Sequence, residues 1–387
     1  GEVTVKRMLD ARTLALLPIL GACSMFLSTV EYLFPKPLPF MRLGLANLPV
    51  LIGLEVLSPA AYVWLVVLKV LGQAIVNGTL ASYVFLFSLA GSVASAAVML
   101  GAYRVLAPRI SFLGVSLFGS LASNATQIAL SVLFIFGPAA WRILPTFLAV
   151  GIGSGAVIGI VAQRIADRSR WWNATKLAFQ SPAESAMAPE IELEAGTPSS
   201  LAARRPDILA RRVPARLRLW IGIAIMSGYL AVDALPARLA LIGLFVVLVR
   251  LAGKRVRVGY FCILTVSIVF FHLLSPSGRI LGAVGPLTVT SGALHAGTSR
   301  ALGLIGIVLV SLFSVSRDLR LPGRLGGLIV RSFVHFERIL ESGRRPSARD
   351  FVASLDEILL DLFPPGQLCG SRPLDEGRGD RPRSSAG

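Results

Sequence analysis

The sequence predicts an all-α polytopic membrane protein with about ten transmembrane helices, and three observations carry that prediction. Of the 387 residues, 54% are hydrophobic and only 15% are charged, whereas soluble domains carry about 25% charged residues. The mean hydropathy is +0.72. The apolar residues also cluster in runs about as long as a bilayer is thick. This pattern excludes a soluble multidomain protein, a disordered chain, a coiled coil and a disulfide scaffold.

Six apolar runs lie in the first part of the chain, residues 1–165. The first run follows Lys6, Arg7 and Arg12 and lacks a small-residue cleavage site, so we expect a retained span rather than a signal peptide. The second run is short and contains Pro49 and Gly53, which predicts a broken or partial span. The six runs are 13–33, 43–57, 60–77, 80–103, 110–136 and 143–163.

Four further runs follow a polar segment. Residues 166–217 are charged and rich in Pro, Ser and Ala, which predicts a cytoplasmic linker. A second membrane domain is expected at 218–345, ending in an amphipathic stretch at 325–340. Residues 346–387 are expected to form a cytoplasmic tail that is partly disordered. The four runs are 219–232, 239–251, 258–274 and 293–315.

The Lys and Arg residues of the short loops indicate the orientation. We expect six and then four spans in a cell inner (plasma) membrane, with cytoplasmic N- and C-termini. This arrangement places most of these cations on the cytoplasmic side. The net charge of +17 is then a topology signal, and nucleic-acid binding is not expected because no basic face on a soluble domain is visible. The outer side receives few cations, namely Lys36, Arg42, Arg142, Arg238 and Arg279.

The patterns of an ATPase, a synthase or a metal enzyme are missing from the sequence. There is no Gly-x4-Gly-Lys-Ser/Thr loop for ATP phosphates and no Asp-Asp-x-x-Asp pattern for Mg-diphosphate chemistry. The three histidines are scattered and the three cysteines lack metal or disulfide spacing. We therefore expect no enzyme activity, no metal and no cofactor in this chain. The glycines at 151, 153, 155 and 159 favour close helix packing in lipid.

Polar residues inside the runs are the candidates for a binding site, because such residues are costly in a membrane. One interpretation is an outward-opening cavity that binds a substrate, and the other is hydrogen bonding between helices. For Arg42 and Lys69 together we favour a site, because two cations near the outer half need an anionic partner. That partner could be Glu31 or an anionic ligand. The candidate substrate-binding residues are Arg42, Asn47, Lys69, Asn77, Asn124 and Gln127.

The first part of the chain resembles a known family. Residues 39–47, Pro-Phe-Met-Arg-Leu-Gly-Leu-Ala-Asn, look like the signature of the Gx transporter family, also labelled heptaprenyl diphosphate synthase component I. Lys69-Val70, Asn77-Gly78-Thr79, residues 88–91, Asn124 and Gln127 continue the resemblance, although Ser123 stands where many members have His. Such proteins resemble the six-helix, substrate-capturing S components of energy-coupling factor (ECF) transporters.

The second part is similar to the T component of the same transporters. Residues 291–294 and 300–304 with Ser311 carry this resemblance, and residues 331–341 look like its coupling helix. The resemblance implies ECF-type ATPase subunits as partners, with ATP used by that partner. It also implies that Ala11-x3-Ala15 faces the T part. The residues implied in coupling are Arg331, Arg338, Arg344 and Arg345.

The residues of the amphipathic stretch leave two interpretations open. Its apolar stripe of Leu328, Phe333, Phe336 and Leu340 is typical of a helix that docks a soluble partner or lies on anionic lipid. The leading hypothesis is a fused S-plus-T subunit of an ECF-like importer, in which fusion fixes one-to-one pairing. The alternative is a membrane scaffold for a polyprenyl diphosphate or quinone-related enzyme system, and a third possibility is a passive carrier.

Overall fold

The computed structural model describes residues 10–31, 44–180, 213–254, 256, 258–275, 277–284, 287–315, 323–343 and 350–368. Three of the predicted site residues, Arg42, Arg344 and Arg345, lie outside these described residues. The first half is defined as the described chain from 10 to 180, and the second half as the described chain from 213 to 368.

Helices of the first half coincide with the six predicted runs, and one further helix, α7, follows them. The short second run forms a 3-10 turn, Leu45–Asn47, followed by one brief α-helix, as its proline and glycine predict. A π-helical segment, Val132–Phe136, and a 3-10 segment, Gly137–Ile143, join the last two long helices. The helices are α1 (Ala11–Glu31), α2 (Leu48–Ile52), α3 (Pro59–Asn77), α4 (Tyr83–Leu106), α5 (Phe112–Ser131), α6 (Leu144–Arg168) and α7 (Arg170–Gln180).

The second half is also helical, with one short hairpin that the hydropathy pattern does not predict. The hairpin pairs β1 (Ile280–Val284) with β2 (Leu287–Thr290) in antiparallel fashion. A final 3-10 turn covers Pro365–Leu368. The helices are α8 (Ala215–Leu230), α9 (Leu235–Leu251), α10 (Val258–Leu273), α11 (Ser291–Ser314), α12 (Gly323–Glu341) and α13 (Phe351–Leu362).

Several of these helices are suited to a bilayer. Within the described residues, six are long and apolar enough to cross a membrane: α1, α3, α4, α5 with its extension to Phe136, α6 and α11. Shorter apolar helices lie at Leu45–Glu55, Leu217–Leu230 and Val258–Leu273. Large apolar side chains such as Trp220 and Val266 are exposed on the surface of the protein, as expected for helices that contact lipid. The membrane class is confirmed, while the count of ten spans stays a prediction.

Glycines bring α5 and α6 into close contact, as their spacing predicts. A Cβ added to Gly155 would lie 2.4 Å from the Ser120 hydroxyl oxygen, and one added to Gly159 would lie 2.6 Å from the Cα of Leu113. The Ser116 hydroxyl donates a hydrogen bond of 2.7 Å to the Gly155 carbonyl. These small residues let the two backbones approach, which is how helices commonly associate in lipid.

The second half crosses the end of the first half. Tyr83 begins α4, and Phe136 ends the extension of α5, so both lie at the same end of this antiparallel pair. The Tyr83 hydroxyl is 3.3 Å from that of Tyr260, and the rings of Phe136 and Phe271 are 4.7 Å apart between centroids. Tyr260 and Phe271 are separated along α10 by about 16 Å. Helix α10 therefore lies across this end of the first half instead of alongside its helices.

This crossing bears on the predicted sidedness of the loops. The loop cations predict Gly78, at the end of α3, outside, and Ser311, near the end of α11, close to the inner side. The Ser311 hydroxyl donates to the Gly78 carbonyl at 2.9 Å. The two halves therefore cannot both stand upright in a bilayer with these two ends on opposite sides of it. The loop cations miss this, because counting Lys and Arg carries no information on how the two halves pack. The orientation of the termini stays a prediction.

Helix α7 occupies part of the segment predicted as linker. The Asp356 carboxylate of α13 caps it by accepting from the backbone N–H groups of Arg170 and Trp171 at 3.1 and 3.0 Å. The Trp171 ring N–H donates to the Phe363 carbonyl at 2.6 Å, and that of Trp172 donates to Glu55 at 2.8 Å. The start of the linker, the tail and the first half thus form one packed unit. The sequence signal for this packed helix was the pair of adjacent tryptophans in a polar segment.

His335 of α12 is expected to make the contact between α12 and the tail sensitive to pH. Its ring meets that of Phe363 with centroids 4.9 Å apart. Burial, and then the charges of Arg338 and Arg331, lower the pKa of His335 from its ordinary 6.5 to about 4. As the pH falls, His335 therefore becomes protonated in the unfolded chain before it does so in the folded chain. The free energy of unfolding falls as the pH drops from about 6.5 to about 4.

Thermal unfolding in detergent at graded pH is expected to show this loss for the native chain. His335→Phe, which keeps a ring against Phe363, is the control and is expected to remove that part of the pH dependence. Identical pH profiles for the two proteins would contradict the assignment to His335.

Candidate functional site

The central polar cluster of the first half joins Lys69, Asn47 and Ser92. Lys69 lies in the middle of α3 and its side chain is only 4% exposed. Its ammonium group donates to the side-chain oxygen of Asn47 and, at 3.1 Å, to the hydroxyl of Ser92 on α4. The structure thus brings together two of the residues predicted for the site. Ser92 was missed by sequence reasoning, because a serine in an apolar helix gives no signal of its own.

Glu31 positions the segment that carries Asn47. Its buried carboxylate accepts hydrogen bonds from the backbone N–H groups of Gly44 at 3.1 Å and Leu45 at 3.0 Å. Gly44 has φ +86°, a left-handed conformation that favours glycine. These bonds cap the 3-10 turn that ends at Asn47. Glu31 thereby fixes the start of the turn that carries Asn47, whose side chain accepts from Lys69.

Asn124 and Gln127 lie on α5, in contacts between helices. The Asn124 amide covers Gly151 of α6 so closely that an added Cβ would lie 1.5 Å from its Nδ2. The Gln127 amide donates to Ser123 at 3.0 Å, and a Cβ added to Gly91 of α4 would lie 3.1 Å from its nitrogen. These contacts pack both amides between helices, while the hydrogen bond that Gln127 donates to Ser123 stays within α5.

Helix α4 separates the two groups of predicted residues. Ser92 meets Lys69, whereas the preceding residue, Gly91, meets Gln127. The two groups are therefore neighbours on adjacent sides of one helix. Asn77 is apart from both: it is the last residue of α3 and is half-buried beside the left-handed Gly78.

The cluster brings three polar side chains to one point inside the first half. A buried ammonium, an amide and a hydroxyl together can hold a small group that carries negative charge and hydrogen-bond acceptors. Within the described ranges, no group of three or more His, Cys, Asp or Glu side chains is arranged to hold a metal ion.

Comparisons with known families agree with part of this picture. Residues 20–165 match the family model of heptaprenyl diphosphate synthase component I. The matched residues contain the cluster of Lys69, Asn47 and Ser92 together with Asn124 and Gln127. Residues 214–316 match a domain of unknown function (DUF8519), so the inferred T component finds no support there. No curated protein and no solved structure matches the chain.

Helix α12 packs against α1 and α3 of the first half. Leu328 and Phe336 of its apolar stripe are buried in the same core as α1 and α3. A Cβ added to Gly21 of α1 would lie 2.9 Å from the hydroxyl oxygen of Ser332 and 3.6 Å from the Cβ of Leu68. The stripe thus contacts this chain's own helices, in place of either of the two surfaces considered from the sequence.

The opposite face of α12 carries the predicted coupling residues. Arg331 and Arg338 are exposed, and their spacing of seven places them on one face. Arg324, seven residues before Arg331, is exposed as well. The close approach to α1 lies at Gly21, one to two turns beyond the predicted Ala11-x3-Ala15, in which Ala11 is exposed and Ala15 half-buried.

Proposed function

We propose that the chain is the membrane subunit of an ECF-like importer of the inner (plasma) membrane. The first half captures a small anionic or amphipathic substrate, and the second half couples it to separate ECF-type ATPase subunits that use the ATP. The observation that carries this proposal is the position of α12. Its apolar face packs on α1, while Arg331 and Arg338 face outward. A helix that contacts both the capture half and a soluble partner can transmit movement between them.

The polar cluster supports the choice of substrate class. Lys69 supplies positive charge, and Asn47 and Ser92 supply hydrogen-bonding groups at the same point. Ionisable groups inside membrane helices mark substrate sites by default. Leu68, which precedes Lys69, lies beside the contact of Gly21 with Ser332. A movement of α12 would therefore displace groups beside Leu68, the neighbour of Lys69, to which we assign substrate binding.

The alternative function is a membrane scaffold in a polyprenyl diphosphate or quinone-related enzyme system. The family description of residues 20–165 favours it. In that case the arginine face of α12 holds a soluble synthase, and this chain itself performs no catalysis. The two functions differ in the identity of the soluble partner.

A detergent pull-down from the native membrane, with mass spectrometry of the retained proteins, separates them. The test variant is Arg331→Glu/Arg338→Glu, which reverses two exposed charges on α12 and leaves its buried stripe unchanged. The matched control is Arg164→Glu/Arg168→Glu, because these arginines are also exposed, at the end of α6. We expect the native chain and the control to retain an ATPase, and the test variant to retain roughly tenfold less, the loss expected from removing about 1.4 kcal/mol.

The other outcomes contradict either the importer or the role of its arginine face. Recovery of a soluble prenyl synthase without an ATPase would assign the chain to the scaffold function. Equal recovery of the ATPase by both variants would remove the arginine face from the mechanism. Absence of any soluble partner would leave the passive carrier as the remaining hypothesis.

A further inference from the structure

Ser311 joins the two halves at a buried contact. It lies near the end of α11 and is 0% exposed. Its hydroxyl donates to the Gly78 carbonyl at 2.9 Å and accepts from the Ala81 backbone N–H at 3.1 Å. Both partners belong to the turn between α3 and α4, about 230 residues away in the chain. One side chain of the second half thus satisfies a backbone acceptor and a backbone donor of the first.

Two neighbouring residues complete a socket around this turn. A Cβ added to Gly78 would lie 3.2 Å from a side-chain carbon of Leu312 and 3.4 Å from the Lys254 nitrogen. Lys254, just beyond α9, donates to the carbonyl of Leu312 at 2.6 Å and to that of Val315. It thereby caps α11 with a cation, which is favourable at a helix C-terminus. We call Ser311, Leu312 and Lys254 the socket.

The turn suits the socket because it begins with glycine. Gly78 has φ +67°, which terminates α3 and presents its carbonyl outward. A side chain at this position would be strained by the positive φ and would press on Leu312. Backbone groups buried away from water need partners, and Ser311 provides two bonds at once. Specific recognition of this turn therefore needs a hydroxyl at 311 and a glycine at 78.

We propose that the socket is the polar, sequence-specific part of the surface by which the second half binds the first, beside the apolar packing of α12, and that the two halves stay bound without the covalent linker. The partner that the socket fits is a glycine-terminated helix end with an exposed carbonyl and amide. The socket binds Gly78 at the end of α3. Asn77 and Lys69 lie on this helix, so the socket contacts the helix that carries Lys69 of the polar cluster. This proposal does not depend on the transport function.

The test cuts the linker in the purified full-length chain. A protease site is inserted within residues 181–212, the chain is cleaved in detergent, and the two fragments are followed by size exclusion and dilution. Ser311→Ala is the test variant. Ser314→Ala is its matched control, because Ser314 is equally buried one turn further along α11 but donates within its own helix, to the Val310 carbonyl at 2.6 Å.

We expect the cleaved native chain and Ser314→Ala to stay assembled, and the fragments of Ser311→Ala to dissociate at least tenfold faster. Separation of the native fragments on cleavage would overturn the proposal, as would equal dissociation of the two variants. Should Ser311→Ala lower the yield, hydrogen exchange at the Ala81 amide provides a second measurement. Faster exchange there with unchanged exchange in the middle of α3 supports the socket, and unchanged exchange at Ala81 contradicts it.

Discussion

Replacement of Gly159 by valine is expected to prevent stable folding of the first half. A Cβ at this position would lie 2.6 Å from the Cα of Leu113 and 3.1 Å from the carbonyl oxygen of Phe112. Both atoms belong to the backbone of α5, so no rotamer change can make room. We expect a loss of about 3 kcal/mol, at the upper end of the range for overpacked cores. The yield of monodisperse protein and its thermal unfolding in detergent measure the effect.

Gly153→Val is the matched control for Gly159→Val. Gly153 lies on the same helix, and nothing lies within 4 Å of a Cβ added there. The same substitution is therefore expected to change neither the yield nor the unfolding temperature. If both variants behaved alike, the close contact between α5 and α6 at Gly159 would be wrong.

Glu31→Leu is expected to produce the second large effect. It removes the acceptor of the Gly44 and Leu45 N–H groups, and each buried donor left without a partner costs about 1–3 kcal/mol. We expect a total loss of about 3 kcal/mol, together with displacement of Asn47 from Lys69. Thermal unfolding and hydrogen exchange at the two amides are the measurements.

Glu31→Gln separates the hydrogen bonds from the charge. Glutamine keeps one side-chain oxygen in nearly the same place, so both N–H groups retain an acceptor, and we expect a loss of about 1 kcal/mol, typical of one hydrogen-bond contribution. Similar unfolding temperatures for Glu31→Leu and the native chain would show that the cap at the 3-10 turn contributes little.

Much of the helical framework could be predicted from the sequence, since each apolar run became a helix. Even the short second run behaved as Pro49 and Gly53 indicate, with a 3-10 turn and one brief helix. The hairpin at Ile280–Val284 and helix α7 were not anticipated. The hairpin lies between two apolar runs and α7 lies in a polar segment, so hydropathy indicates neither. The start of α7 is capped by Asp356, which is far away in the sequence.

Two of the residues predicted for the candidate site lie together in the structure, and the other described ones lie apart from them. Lys69 and Asn47 do meet, whereas Asn124 covers Gly151 and Asn77 ends α3 beside Gly78. Spacing along a helix shows which residues share a face, but it does not show which neighbour that face meets. The partner Ser92 could not be recognised before the rotation of α4 was known.

By itself the sequence determined that this chain is helical and embedded in a membrane. Lipid offers no hydrogen bonds, so every apolar run of sufficient length must satisfy its own backbone as a helix. Only the tertiary structure decided how α10 crosses the first half, where α12 lies, and which polar groups meet at Lys69 and Ser311. In lipid no hydrophobic force selects one helix neighbour over another, and close packing at glycines with a few hydrogen bonds between distant residues makes that choice.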